Sequence, residues 1–181
     1  MRSGALRHSV IIQQPGIGTV NAFGGPTESW TQYAERRMGI KPLMGKELEA
    51  ANERYGEVSH EFRARYLDGV THDMRLLFPR TNTVLSSAIG TTDDVTPGVV
   101  SGSVFPRQGA YRIRVDDEVM EVTAGFATTA WTVTRAMDGT TAAAHVVAAN
   151  VYLLVVADLV APPLNVKERK HEMLVYATER A

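Results

Sequence analysis

The chain has 181 residues, ordinary apolar and charged fractions, and a formal net charge of −1. That length allows one or two compact domains with a buried core. The near-neutral balance argues against a strongly basic nucleic-acid-binding face on a single copy, while leaving room for local basic patches. The absence of cysteine excludes disulfides, thiolate chemistry and cysteine-based zinc sites. The start, Met1-Arg-Ser-Gly-Ala-Leu-Arg-His, is basic but has no apolar stretch of the kind a secretion signal needs. The longest apolar run, Val146–Val156, is too short to span a bilayer as a helix. These features predict a protein used inside a cell or built into something assembled there, with no membrane partner.

Leu6–Gln14 is β-branched and stops at Pro15, which predicts a first strand. Pro15–Pro26 carries four glycines and two prolines and predicts an exposed loop. Thr27–Pro42 predicts a strand region, with Pro42 at its end or on an edge. Gly45–Tyr55 is the best helix candidate, because Leu48, Ala51 and Tyr55 fall on one face at helical spacing. Val58–Tyr66 alternates, with Phe62, Ala64 and Tyr66 on one face and Glu61, Arg63 and Arg65 on the other. Asp68-Gly69 predicts a turn, and Met74–Phe78 begins another strand.

Pro79 opens a segment of different composition, poor in charge at first and rich in Thr, Ala, Val and Gly. Ala110–Val115 and Glu118–Thr123 predict a hairpin turned at Asp116-Asp117. Trp131–Arg135 alternates again, and Val151–Val156 predicts a buried strand. About five strands with little or no helix are expected there. Pro162-Pro163 punctuates the return, Asn165–Lys170 reads as a charged turn, and Glu172–Thr178 predicts the last strand. The expected organisation is a discontinuous host domain, residues 1–78 plus 158–181, interrupted by an all-β domain at residues 79–157. The fold class is mainly β, with one short helix in the host.

No catalytic constellation is legible. His8, His60, His72, His145 and His171 stand in no metal-ligand frame, and there is no nucleophile elbow, phosphate-binding loop or dinucleotide fingerprint. The expectation is no catalytic residue, no metal site and no cofactor. Asp116-Asp117-Glu118 reads as a solvated acidic turn rather than a cation site, and Asp93-Asp94 is a weaker pair still. The face Glu61, Arg63, Arg65 has two open readings: a solvent face, or an inter-subunit face whose charges set register. Lys167-Glu-Arg-Lys-His reads as a solvated turn, or as a phosphate neighbour if the protein lines a DNA channel.

Several stretches come in a recognisable order. They are Leu6-Arg-His-Ser-Val-Ile-Ile-Gln, Asn21-Ala-Phe-Gly-Gly-Pro-Thr-Glu-Ser-Trp and Ile40-Lys-Pro-Leu-Met-Gly-Lys-Glu-Leu-Glu-Ala-Ala. Val58-Ser-His-Glu-Phe-Arg-Ala-Arg-Tyr, Gly69-Val-Thr-His-Asp-Met-Arg-Leu-Leu-Phe and the ending Asn165–Glu179 follow. Together they resemble the head–tail adaptor (stopper, or head-closure) family of tailed bacteriophages. The departure comes after Phe78, where that family has a short hairpin. Here Phe105–Thr123 and Trp131–His145 resemble a small β module that recurs in phage virion proteins.

The resemblance implies a small β-barrel that forms a homo-oligomeric ring below the portal or adaptor protein. Such a ring extends the DNA channel, retains packaged double-stranded DNA without reading its sequence, and docks a tail or tail-terminator protein. It also implies a virion component at the head–tail interface, assembled in the host cytoplasm. It assigns Met44–Glu57, with Lys46, Glu47, Glu49, Glu53 and Arg54, to the ring interior or a neighbour. The rival reading is a surface- or carbohydrate-binding module in which residues 79–157 are the functional part and Trp131 and Tyr111 are exposed stacking residues. A hydrolase lacks any nameable residue set.

Overall fold

The computed structural model describes residues 5–16, 18, 25, 29–90, 95–166 and 170–180. The glycine-rich loop expected over Pro15–Pro26, apart from its residues 15, 16, 18 and 25, lies outside them. So do Asp93-Asp94 and residues 167–169 of the basic C-terminal turn. In chain order the elements are β1 (His8–Pro15), β2 (Trp30–Pro42), α1 (Gly45–Tyr55), β3 (His60–Arg65), β4 (Arg75–Val84), β5 (Tyr111–Val115), β6 (Glu118–Ala124), β7 (Thr132–Thr134), β8 (Asn150–Leu159), β9 (Leu164–Asn165) and β10 (Glu172–Glu179). The protein is mainly β, and α1 is the one α-helix among the described residues.

Two compact units result: Met1–Phe78 with Val155–Ala181, and Pro79–Leu154. In the first, the neighbour order is β4–β1–β2–β3–β10, and β9 also pairs with β10. The end of β8 pairs with β10 through Ala177↔Leu159, and Leu159 N–H donates to Met74 C=O at 3.4 Å. The order of neighbours therefore returns to its start. Successive strand residues point to opposite faces, so the alternating apolar positions converge on one interior. Val10, Ile12, Met38, Phe62, Ala64, Met173, Val175 and Ala177 are all buried in it. Phe62 meets Phe78 edge-on, with ring centroids 5.3 Å apart.

The second unit has the order β7–β6–β5–β8. The β5–β6 hairpin turns through Asp116-Asp117, with Asp116 in the left-handed region at φ 49°. Its core is built on Trp131, which meets Phe105 at 4.9 Å and Tyr111 at 6.0 Å and a 90° interplanar angle. Trp131 is 1% exposed and Tyr111 9%, so neither is the exposed stacking residue that the carbohydrate-binding reading requires. Burial pushes the Tyr111 hydroxyl up to about 12.

The strand that the sequence begins at Met74–Phe78 starts at Arg75 and runs on through Pro79 to Val84. Proline removes one donor but keeps a strand-compatible φ, so a ladder that does not need that N–H continues. β8 extends past Val156 to Leu159. Asp158 interrupts the apolar run there, and its carboxylate meets Arg180 Nε at 2.9 Å. The two-residue strand β9 replaces part of the expected turn at Asn165.

Candidate interaction site

The helix α1 lies where the resemblance placed a functional segment. It is anchored thinly. Ala51 is its one buried residue, and with Leu43 and Val58 it forms a small cluster to which Leu48, Tyr55, Val160 and Tyr176 add. Tyr55 stacks on Tyr176 with ring centroids 4.8 Å apart and a 23° tilt. Gly56 ends the helix at φ 87°, a backbone state that glycine reaches without a Cβ clash, and its N–H bonds to Asn52 O. Asn52 Oδ1 then accepts from Val58 N–H at 2.8 Å. Burial, followed by the Glu61 charge, holds the Tyr176 hydroxyl above its ordinary range.

Lys46, Glu47, Glu49, Glu53 and Arg54 are all exposed on this helix. Lys41 Nζ reaches Glu47 at 2.6 Å, and this bond holds the Lys41 ammonium above its usual value. Arg54 stands 5.8 Å over the Tyr55 ring. Of the strand set, Glu61 is half-buried, while Arg63 and Arg65 are exposed. Arg63 joins Glu172 at 3.1 Å and Glu61 at 3.8 Å.

Three depressions lie on the first unit, and the first of them brings residues of both sets together. The first, about 280 Å³, is lined by Glu47, Arg54, Lys41, Glu61 and Tyr176 among others. The second, about 520 Å³, shares Lys41 and Glu61 and adds Arg7, His8, Gly39 and Arg63. The third, about 360 Å³, is lined by Leu6, Arg36, Arg37 and Arg65. Glu47, Arg54 and Glu61 thus share one hollow, while Arg65 lines another. Lys46, Glu49 and Glu53 line none of these. The sequence reading missed Arg7, Arg36, Arg37 and Lys41. The alternation Arg37, Gly39, Lys41 along β2, facing Ser9, Arg63 and Glu61 by register, was the available signal.

A second charged cluster lies in the other unit, and it corrects the reading of Asp116-Asp117-Glu118 as solvated. Asp117 is fully exposed, but the Glu118 side chain is wholly buried. Its Oε1 accepts from Arg135 Nε at 3.0 Å and Ala136 N–H at 3.1 Å. Its Oε2 takes Arg135 Nη2 at 2.6 Å, Ala143 N–H at 3.0 Å and His145 Nε2 at 2.9 Å. His145 Nδ1 faces Asp116 Oδ2 at 2.8 Å. Burial pushes the Glu118 carboxyl up, yet Arg135, His145 and the two backbone donors outweigh it and hold it down at about 2. Five donors saturate the carboxylate, leaving no lone pair for a substrate or an ion. The cluster is a structural pin that ties the β5–β6 turn to the segments at Arg135 and His145.

Among the described residues, no group of three or more His, Asp or Glu side chains is arranged to hold a metal ion. No helix there is long and apolar enough to cross a membrane.

The helix, strands β1 to β4 and every depression-lining residue but Tyr176 fall in one stretch of chain. Residues 1–86 match the phage head completion protein family. The head completion match supports a structural bacteriophage protein, a part of the virion that works with other head or tail proteins. It covers α1 and all the depression-lining residues except Tyr176. It stops before β10, whose membership of the same unit rests on its pairing with β3 from Ala177↔His60 to Glu172↔Arg65. No curated protein matches the chain.

Proposed function

We propose that this protein is a head–tail connector subunit that forms a ring below the portal, continues the DNA channel, retains packaged DNA and docks the tail. The carrying observation is the head completion match over residues 1–86, which holds the exposed helix and most of the charged trough beside it. We read the first unit as the connector domain, a small barrel whose neighbour order returns on itself, and the second as an inserted all-β domain. The role is structural rather than catalytic. A ring suits these surfaces, because closure multiplies contacts that are individually weak.

Lys46, Glu47, Glu49, Glu53 and Arg54, with Glu61, Arg63 and Arg65, are the proposed contact residues. DNA passes without base recognition, as backbone electrostatics alone would provide. The glycan-binding rival has no support from Trp131 or Tyr111, which lie in the core.

Electron microscopy of the purified protein mixed with portal complexes tests the reading. A ring of added density beneath the portal is expected, and a phage lacking the protein should accumulate DNA-filled heads without tails. A monomer that ignores portals, or tailed infectious particles made without it, would overturn the proposal.

A further inference from the structure

Charges that form no ion pair among the described residues are segregated at opposite ends of the β2–β3 hairpin. α1 bridges the end where Pro42 pairs with His60 and Leu43 N–H bonds to Ser59 O. Its Glu49 and Glu53 are one turn apart on one face. Both are exposed, and neither forms an ion pair among the described residues. Glu47 differs, being held by Lys41. At the other end, Arg36 and Arg37 lie just beyond the Met38↔Ala64 pair, and Arg65 follows Ala64. These three exposed arginines line one depression with Leu6. Among the described residues, Arg36 and Arg37 bond to backbone carbonyls, of Glu35 and Arg7, and no carboxylate pairs with any of the three.

The separation is about 15–20 Å, five or six residues at about 3.3 Å each. The helix therefore cannot serve its own arginines. A second copy can. We propose that the Glu49/Glu53 face of α1 in one copy docks into the Arg36/Arg37/Arg65 depression of the next, head to tail.

Guanidinium forks match carboxylates in geometry as well as charge. Ala50, exposed between the two glutamates, allows close approach, and half-buried Leu6 supplies an apolar floor. A DNA phosphate would satisfy the arginines but would offer Leu6 nothing and leave Glu49 and Glu53 unmatched. Two different surfaces meeting in one contact make a heterologous interface, the kind that closes into rings. The inference rests on the ring reading above and names the surfaces that build it.

Charge reversal in the full-length chain tests it. Sedimentation velocity at low salt would compare wild type with Glu49→Arg/Glu53→Arg and with Arg36→Glu/Arg37→Glu/Arg65→Glu, with circular dichroism verifying each fold. Each variant alone should self-associate about tenfold more weakly or worse. An equimolar mixture of the two should regain assembly, because reversed helix meets reversed pocket and wild-type helix meets wild-type pocket. One chain carrying both reversals should regain it too.

Wild-type-like association by both variants, or failure of both rescues, overturns the pairing while wild-type rings leave the connector reading standing. Loss of double-stranded DNA binding in the arginine variant with assembly intact also overturns it and gives the pocket to phosphate. A wild type that stays monomeric even with portal present removes both proposals.

Discussion

Arg135 grips Glu118 at two points, Nε to Oε1 at 3.0 Å and Nη2 to Oε2 at 2.6 Å, with both side chains shut away from solvent. Breaking a buried ion pair from one side strands the other charge, at a cost of about 3–5 kcal/mol. Glu118→Ala should therefore destabilise the second unit by that order. Replacing Glu118 and Arg135 together by apolar residues should recover much of the loss. Denaturant unfolding followed by Trp131 fluorescence, in a Trp30→Phe background, checks both.

The same carboxylate sets an acid limit. Its folded-state pKa, about 2, lies below the ordinary 4.5. A depressed value means the folded state holds the proton less tightly, so the contribution is fully present above about pH 4.5 and is lost as pH falls toward 2. Thermal melts of the second unit should show no loss from this group between pH 7 and about 5, then a decline below. Glu118→Ala should flatten that part of the profile; an unchanged decline in the variant would assign the acid sensitivity to other groups.

The Tyr55–Tyr176 stack is the main aromatic contact holding α1 to the strand surface. Tyr176→Leu keeps bulk and removes the stack, and should cost about 0.5–1.5 kcal/mol. The effect should be local, with faster hydrogen exchange across Gly45–Tyr55 and little change in the β1–β2 amides.

Much of this fold was legible because local periodicity and burial agree. The spacing of Leu48, Ala51 and Tyr55 marked both the bounds and the inner face of α1. The alternation of Phe62 with Ala64, and of Met173 with Val175 and Ala177, marked core faces correctly. What stayed hidden depends on distant partners or local geometry. Asp-Asp-Glu at a hairpin reads as wet, and nothing nearby reveals that Arg135 and His145, 17 and 27 residues on, close over Glu118. Strand alternation assigns Arg36 and Arg37 to opposite faces, yet both line the depression that Arg65 enters. The run of β4 through Pro79 to Val84 was hidden because its far half, Arg80–Val84, lacks the apolar alternation that marks a strand.

Removal of the second unit should leave the first folded. Leu159 N–H to Met74 C=O sets an antiparallel register that brings Phe78 abreast of Val155. Excising Pro79–Leu154 and joining the ends by Asn-Gly should thus form a hairpin turn. The expected product is a soluble β protein with cooperative unfolding; an aggregated or molten product would show that Pro79–Leu154 is needed for the host core.

Eight of the eleven residues of α1 are exposed, and the fold draws on it mainly through Leu48, Ala51, Asn52 and Tyr55. The remaining positions carry almost no burden of folding. Substitution at those positions costs the fold little, so what this short helix recognises can be changed while the strands beneath it keep their packing.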